Sequence, residues 1–235
     1  MKPDLSVEIA GIKMQNPVMN GAGTFELDIG RELIDISKLG AFVQKSITFN
    51  PREGNPQPRI LEVAAGVINS IGLQNVGVKE FVRTKLPLLY EIAEPINLPL
   101  IISIAGESVD DYLNTALILE SESRGRIAAL EVNISCPNVK DGLIFGSNPS
   151  LTKDLVGTLK LKIRLPLIVK LTPNVDNIGL IAKTAVTAGA DALSLINTIK
   201  AKAYIDRGPH ARQWIEGGLS GPAIKPVALK KVDEV

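Results

Sequence analysis

The sequence predicts an α/β protein: a (β/α)8 TIM barrel that lacks the last two βα units and begins with an N-terminal β-hairpin. Short, almost continuously apolar segments alternate with segments of helical periodicity, as in folds whose parallel strands are buried on both faces. Polar residues follow the carboxyl end of each apolar segment, and that end of a barrel carries the active site. A doubly wound sheet concentrates its site near one switch point, so six polar strand ends favour the barrel.

Six apolar segments are predicted to be barrel strands, after a hairpin at residues 6–16. They comprise residues 17–23, 40–48, 99–106, 129–136, 166–174 and 191–198. A complete barrel has eight strands and about 250 residues, so the predicted barrel is two units short. An open barrel of six strands would leave exposed sheet edges, which natural proteins avoid.

The segments between the strands have helical spacing and predict right-handed crossovers that each return the chain to the same sheet. They comprise residues 28–40, 78–94, 108–123, 148–163, 177–190 and, after the last strand, 220–235. Ser108 is a predicted N-cap, because its hydroxyl can accept from a free N–H in the first helical turn. Pro87 is expected to kink or break its helix, since proline has no N–H to donate.

The composition predicts a soluble cytoplasmic protein without a structural metal, forming one domain over residues 1–235. Lys and Arg total 26 against 25 Asp and Glu, and aromatic residues make up 4%. Neither value favours a nucleic-acid partner, although a local basic patch stays open. One cysteine excludes an internal disulfide, and with one histidine it disfavours a zinc or iron–sulfur site. The first residues lack the apolar segment typical of a signal peptide, and no apolar segment of the sequence approaches the length needed to span a bilayer.

Cys136 follows the apolar segment of residues 129–136 and directly precedes Pro137. A lone cysteine can be a small buried hydrophobic residue, or its thiol can act as a base or a nucleophile. A cysteine protease would need a histidine, and His210 is the only candidate. Residues around His210 are polar and rich in glycine and proline, so a solvated histidine is the simpler interpretation.

Two lysines and three asparagines lie at predicted strand ends, and Asn69 lies in a predicted glycine-containing loop between the second and third strands. Lys45 and Lys170 can either extend to solvent at the barrel rim or face an anionic ligand as fixed cations. Asn69, Asn133 and Asn197, together with Asn138, offer carboxamides that can bind a planar heterocycle bearing carbonyl and N–H groups. Each of them alone can equally be a turn residue or a helix cap.

Glycine-rich segments are weaker signals in this sequence. Residues 21–26 contain G-x-G without the third glycine of the dinucleotide fingerprint, and the chain has no P-loop. Residues 217–222 can let backbone N–H groups approach a bound cofactor or a phosphate, or they can form a tight turn before the last helix.

Seven motifs, in order along the chain, resemble the class 1 dihydroorotate dehydrogenases, from about residue 5 to the end. They are NGAGTF, QKSIT, NSIGLQNVG, EVNISCPN, VKLTPN, SLINT and GGLSGPAIKP. NISCPN and NSIGLQN together are highly specific. The resemblance implies a flavin-dependent (β/α)8 enzyme of pyrimidine biosynthesis that oxidises dihydroorotate to orotate, with FMN as the hydride acceptor.

Carried over position by position, the resemblance assigns roles to residues of this chain. Cys136 would be the base that removes the C5 proton, and Lys170 would stabilise the reduced flavin by its charge. The substrate would be bound by Lys45, Asn69, Ser70, Ile71, Gly72, Leu73, Asn133, Asn197 and Thr198. FMN would be bound by Ala22, Lys45, Ser46, Ser103, Asn133, Lys170, Ile196 and Gly221.

The NSIGLQN motif is more similar to the 1B enzymes, which reduce NAD⁺ through a second subunit. This similarity implies a homodimeric core bound to an FAD and 2Fe–2S subunit, a heterotetramer whose cluster lies in the partner. The membrane-associated class 2 enzymes resemble the chain less, since they use serine as base and have an N-terminal extension.

The chain also departs from the family pattern. Ala22 and Ser103 replace a usual serine and asparagine, and residues 199–206 replace a segment resembling GMAID. Two glycine-rich loops that bind the FMN phosphate in the family have no counterpart. Two alternatives therefore stay open: a non-catalytic remnant or interaction module, and a related flavin-dependent barrel such as a dihydropyrimidine dehydrogenase.

Overall fold

A computed structural model describes residues 3–135, 145–206 and 212–235. The strands are β1 (Val7–Ile9), β2 (Ile12–Met14), β3 (Phe42–Ile47), β4 (Ile60–Val63), β5 (Gly66–Asn69), β6 (Leu100–Ile104), β7 (Ala129–Asn133), β8 (Leu167–Lys170), β9 (Ala192–Ser194), β10 (Ile199–Asp206) and β11 (Arg212–Ser220). The α-helices are α1 (Leu27–Leu33), α2 (Val78–Glu80), α3 (Leu86–Ala93), α4 (Val109–Ser123), α5 (Pro149–Lys162), α6 (Ile178–Thr187) and α7 (Lys225–Asp233).

The main sheet is parallel and follows the predicted βα order. Its strands are arranged β3-β6-β7-β8-β9, and a parallel bridge between Met19 and Ala41 adds the first predicted segment beside β3. The predicted barrel-like fold is therefore confirmed for six consecutive segments. In the described part of the chain, β9 pairs within this sheet with β8 alone.

Residues 17–23 form a single bridge instead of the predicted strand. The side chain of Asn20 takes the place of the missing ladder: its Oδ1 accepts from the N–H of Val43 at 2.8 Å, and its Nδ2 donates to the carbonyl of Val43 at 2.9 Å. Because the carboxamide satisfies both backbone groups of Val43, the backbone of this segment need not continue alongside β3.

The β1–β2 hairpin closes one end of the barrel interior. Burial alternates along β2, and its two buried residues, Ile12 and Met14, pack with Val43, Ile101 and Ile168. Each of those three is the second residue of its strand, so the hairpin covers the amino-terminal end of the sheet. This apolar plug leaves the carboxyl-terminal end of the interior for polar residues.

Helices cover the outer face of the sheet over a larger apolar cluster. Ser108 caps α4 as predicted, because its side chain accepts from the N–H of Asp111. Pro87 changes the helix type rather than breaking the helix: a π-helical segment, Phe81–Lys85, joins α2 to α3 just before it. Such a segment accommodates the missing proline N–H. In the ranges that the structure describes, no helix is long and apolar enough to span a bilayer.

A second, antiparallel sheet was not expected from the sequence. Two hairpins, β4–β5 and β10–β11, join through β5 and β11 in the order β10-β11-β5-β4. The glycine-rich segment predicted as a turn or a phosphate loop lies largely inside β11, up to Ser220. The reason is steric, since Gly217 and Gly218 let β11 approach its neighbours more closely than a side chain would allow.

Candidate active site

An irregularity in β3 places two consecutive polar residues, Lys45 and Ser46, at the barrel interior. The register between β3 and β6 shifts between Gln44 and Ile47. Such a bulge breaks the strict alternation of side chains. The hydroxyl of Ser46 lies 2.8 Å from that of Ser103, and Nδ2 of Asn133 donates to Ser46 at 3.1 Å. All three residues are buried, so they form a small polar network at the carboxyl-terminal end of the sheet.

Lys45, the neighbour of Ser46, supplies a cation next to this network. Its side chain is half-buried, and its stem passes Gly23, where a Cβ would lie 3.6 Å from Lys45 Cγ. With respect to the described residues, its ammonium group has no hydrogen bond and no ion pair. An ammonium held half-buried and without a protein partner is suited to an anionic ligand.

Asn133 connects the network to the end of the next strands. Its Oδ1 accepts from Ser135 Oγ at 2.9 Å and from Asn197 Nδ2 at 3.3 Å, while Asn197 Nδ2 also donates to Ser135 Oγ at 2.6 Å. The hydroxyl of Tyr112 donates to the backbone carbonyl of Asn133 at 2.7 Å. Asn133 and Asn197, both predicted substrate residues, are therefore brought together.

Ser135 was missed by the sequence analysis, although it joins two predicted substrate residues. It is 3% exposed and directly precedes Cys136. The available signal was its position in NISCPN, two residues after Asn133, where alternation along a strand places both residues on the same face. A serine there is easily taken for a turn residue, because its hydrogen-bond partner Asn197 lies 62 positions further along the chain.

Lys170 faces a second residue that the sequence analysis missed, Glu131. The ammonium of Lys170 lies 3.7 Å from Oε1 of Glu131, with the two side chains 14% and 6% exposed. In the parallel register, Lys170 lies beside Asn133, and Glu131 lies beside Ser103. The signal in the sequence was an acidic residue with apolar neighbours on both sides, in the segment ALEV.

The predicted substrate loop, residues 69–73, is held by a neighbouring segment. Asn55 donates from Nδ2 to the carbonyl of Ser70 at 2.7 Å and from its backbone N–H to that of Ile71 at 3.0 Å. Gly72 and Leu73 have positive φ values of 75° and 57°, which is the left-handed conformation. The loop is thus a fixed turn whose shape is determined by backbone hydrogen bonds.

Strand β11 places this loop next to the barrel network. Asn69 pairs with Gly218, and a side chain at Gly217 would overlap the carbonyl oxygen of Asn69. A side chain at Gly218 would overlap Oγ1 of Thr198. Thr198 in turn follows Asn197, so the loop at Asn69 and the network at Asn133 belong to one continuous wall.

Three predicted cofactor residues make other contacts. Ala22 packs against the apolar cluster inside the barrel, and Ile196 packs against the main core. Gly221 has a φ of 102°, and a Cβ there would lie 2.8 Å from the Cα of Gly66. Cys136 lies outside the described residues, as do Asn138 and His210, so the structure does not describe their surroundings.

A cavity of about 370 Å³ lies beside the loop, between residues 49–55 and the start of α4. Its wall contains an ion pair between Arg52 and Glu107 at 2.6 Å. Of the predicted site residues that the structure describes, Gly72 alone borders this cavity. The polar network is the better candidate site, because it joins four of the predicted residues, Ser46, Ser103, Asn133 and Asn197.

Comparisons with known proteins match the whole chain to one protein family. The family model for dihydroorotate dehydrogenase matches residues 4–235. The catalytic subunit of dihydroorotate dehydrogenase B (NAD(+)) of Geotalea uraniireducens is 47% identical over 239 residues, which covers 100% of this chain and 76% of that protein. The subunit of the same name from Desulforudis audaxviator is 48% identical over 240 residues, with the same coverage.

A crystal structure of DHODH from Eimeria tenella in complex with ferulenol superimposes with a TM-score of 0.78. It covers 99% of this chain and 69% of that one at 22% identity. At this identity the similarity supports the fold alone, and it agrees with the barrel order of the main sheet.

Proposed function

The chain belongs to the dihydroorotate dehydrogenase family, and on this premise we propose that it oxidises dihydroorotate to orotate in pyrimidine biosynthesis. It is accordingly an oxidoreductase. The observation that carries the proposal is the network of the buried residues Ser46, Ser103, Asn133 and Ser135 with the partly buried Asn197, at the carboxyl-terminal end of the barrel sheet. Active sites of (β/α)8 enzymes lie at that end.

The chemistry of the substrate fits the side chains at this wall. Dihydroorotate has a carboxylate and a ring with alternating carbonyl and N–H groups. We propose that Lys45 attracts the carboxylate and that Asn69, Asn133 and Asn197 bind the polar ring edge, with Thr198 and residues 70–73 completing the pocket. A carboxamide both donates and accepts, which such an edge requires.

Cys136 is the proposed base for the C5 proton. It follows Ser135, which is anchored to Asn133 by hydrogen bonds from its N–H and its hydroxyl. A thiolate can accept a proton without the help of a histidine, so a cysteine can serve as the base for this step. Ser135 would fix the start of the segment that carries the thiol.

FMN is the proposed cofactor, and when bound it supplies the hydride acceptor. The residues near the network fit its ring system: Lys45 and Lys170 are cations at strand ends, while Ser46 and Ser103 offer hydroxyls. Asn133 would touch cofactor and substrate. Ala22, Ile196 and Gly221 complete the set that the family resemblance assigns, with Ser103 providing a shorter side chain than the usual asparagine.

A partner subunit is part of the proposal, since the two relatives carry the name of a catalytic subunit of an NAD(+)-linked enzyme. We propose a homodimeric core that binds an electron-transfer subunit with FAD and a 2Fe–2S cluster. A 2Fe–2S cluster needs several cysteine ligands and this chain has one cysteine, which fits a cluster held by the partner. A chain with one cysteine cannot form an internal disulfide, which fits a reducing compartment, and we therefore propose a cytoplasmic location.

A visible absorbance spectrum of the purified chain, taken with added FMN before and after dihydroorotate, tests the proposal. A flavin spectrum that bleaches with dihydroorotate is the expected result. Bleaching by dihydrouracil instead would favour a dihydropyrimidine dehydrogenase. A protein that does not retain FMN would favour a non-catalytic role and contradict the proposal.

A further inference from the structure

Glu131 is a buried carboxylate in the barrel interior that the proposed reaction does not use. It lies on β7 and is 4% exposed. Its Oε1 has no hydrogen-bond partner among the described residues, and the ammonium of Lys170, at 3.7 Å, is its ion-pair partner there. Its neighbours in the register are Ser103 on β6 and Ile168 on β8.

A buried charge at this position lowers the stability of the fold unless other groups compensate for its loss of hydration. Removing a carboxylate from water costs several kcal/mol, and one lysine beyond hydrogen-bond distance compensates it only in part. Replacing a buried ion pair by apolar residues is often neutral or stabilising. The positions flanking Glu131 on the same face show what packing alone selects, since Ala129 is apolar and Ile168 fills the next strand.

The pair lies directly beneath the candidate site. Lys170 is the strand neighbour of Asn133, and Ser103 connects Glu131 to the hydroxyl of Ser46. Lys170 is the last residue of β8 and is more exposed than Glu131, so its cation faces the site while the carboxylate lies behind it. A ligand at the network would therefore face the ammonium of Lys170, whose positive charge is partly neutralised by the carboxylate of Glu131 on the far side.

We propose that Glu131 is a positioning residue that holds Lys170 at the inner wall of the site and sets the net positive charge presented to a bound flavin. The inference rests on the proposed function, because it concerns the cofactor of that site. It goes beyond that function by assigning a role in flavin electrostatics to a residue of the barrel interior.

The test compares four variants of the FMN-loaded chain: Glu131→Gln, Lys170→Gln, the double variant and Glu26→Gln. Glutamine keeps the size of the glutamate side chain, is shorter than lysine, and removes the charge at both positions. Glu26 is the control, since it lies 3.9 Å from Lys85 in a similarly spaced but more exposed pair and accepts a hydrogen bond from Gln44 of β3. The readouts are the midpoint potential of the bound flavin and the dissociation constant of FMN.

In Glu131→Gln we expect the equilibrium to shift about tenfold toward reduced flavin, because the charge of Lys170 is no longer offset. For a two-electron couple this corresponds to about 30 mV. Lys170→Gln is expected to shift it in the opposite direction. Because part of the effect of Glu131 is exerted through the position of Lys170, removing Glu131 in the Lys170→Gln background is expected to shift the potential less than in the parent, so the two effects are non-additive. Glu26→Gln is expected to match the parent.

Two results would overturn the inference, and they are distinguishable. A parent chain that binds no FMN contradicts the proposed function and this role with it. A parent that binds FMN, with Glu131→Gln at the parental potential or with strictly additive effects in the double variant, contradicts this role alone. Loss of thermal stability in Glu131→Gln without a potential shift would show a structural ion pair.

Discussion

At the scale of single residues, Asn133 shows how one side chain organises the site. Its Nδ2 binds Ser46, its Oδ1 binds Ser135 and Asn197, and its carbonyl accepts from Tyr112. Because the carboxamide is held on both sides, its orientation is fixed before any ligand binds. Preorganised donors and acceptors of this kind lower the cost of binding a polar ring.

Cys136→Ser is the direct test of the proposed base. A serine hydroxyl is a much weaker proton acceptor than a thiolate, so flavin reduction by dihydroorotate is expected to slow by roughly 100-fold to 10,000-fold. FMN binding should be unchanged. Stopped-flow absorbance measures the reduction rate, and fluorescence titration measures FMN affinity. Equal reduction rates in variant and parent would exclude Cys136 as the base.

Ser135→Ala tests the link between the two asparagines. The variant loses the hydroxyl that accepts from Asn197 and donates to Asn133. We expect the KM for dihydroorotate to rise roughly tenfold, since leaving buried polar groups unsatisfied costs about 1–3 kcal/mol. FMN affinity should stay near that of the parent. Ser121→Ala is the matched control, because that exposed hydroxyl bonds only the carbonyl of Ile118; a similar KM in both variants would contradict the role of Ser135.

At the scale of elements, β11 joins parts of the chain that are far apart in sequence. It pairs with β5 and carries Gly217 and Gly218 against Asn69 and Thr198. The absence of a side chain at Gly218 therefore determines how close the loop of residues 69–73 lies to the strand ends of the barrel. The two glycines thus act through close packing.

Gly218→Ala tests this packing. The added methyl group would overlap Oγ1 of Thr198, so the strand or the threonine must move. We expect the KM for dihydroorotate to rise several-fold and the melting temperature to fall, because overpacking typically costs about 1–3 kcal/mol. Gly157→Ala in α5 is the control, since a Cβ there meets no atom within 4 Å. An unchanged KM together with full stability in Gly218→Ala would contradict the packing argument.

At the scale of the whole molecule, the barrel interior divides into an apolar end and a polar end. The N-terminal hairpin fills the apolar end through Ile12 and Met14, whereas Glu131, Lys170 and the serine–asparagine network occupy the other. The plug excludes water from below the network. Electrostatic interactions at the site are stronger for that reason, since the local dielectric is lower.

Met14→Ala tests the contribution of the plug to stability. Met14 is 3% exposed, and truncating such a buried side chain typically costs about 2–5 kcal/mol. We expect a loss in that range in the free energy of unfolding, measured by urea denaturation. Ile9→Ala on β1 is the control, because Ile9 is 38% exposed and should lose less. Equal losses in the two variants would show that the hairpin does not act as a plug.

Elements with a local signal were predicted well. Ser108 caps α4, the hairpin forms at residues 7–14, and six apolar segments lie in the predicted order. The predicted strand at residues 17–23 was shortened because the side chain of Asn20 replaced its ladder. The β10–β11 hairpin was missed because its strands mix lysines, alanines and glycines, and because β11 pairs with β5, far away in sequence.

The sequence by itself determined the fold class, the family and the set of strand-end residues, because periodicity and short motifs are local properties of the chain. Only the tertiary structure decided which of those residues meet. It joined Asn197 to Asn133 by hydrogen bonds, directly and through Ser135. It also packed Thr198 against Gly218 and paired Glu131 with Lys170. These contacts depend on strand register and close packing between distant segments, and no local pattern in the chain encodes such distances.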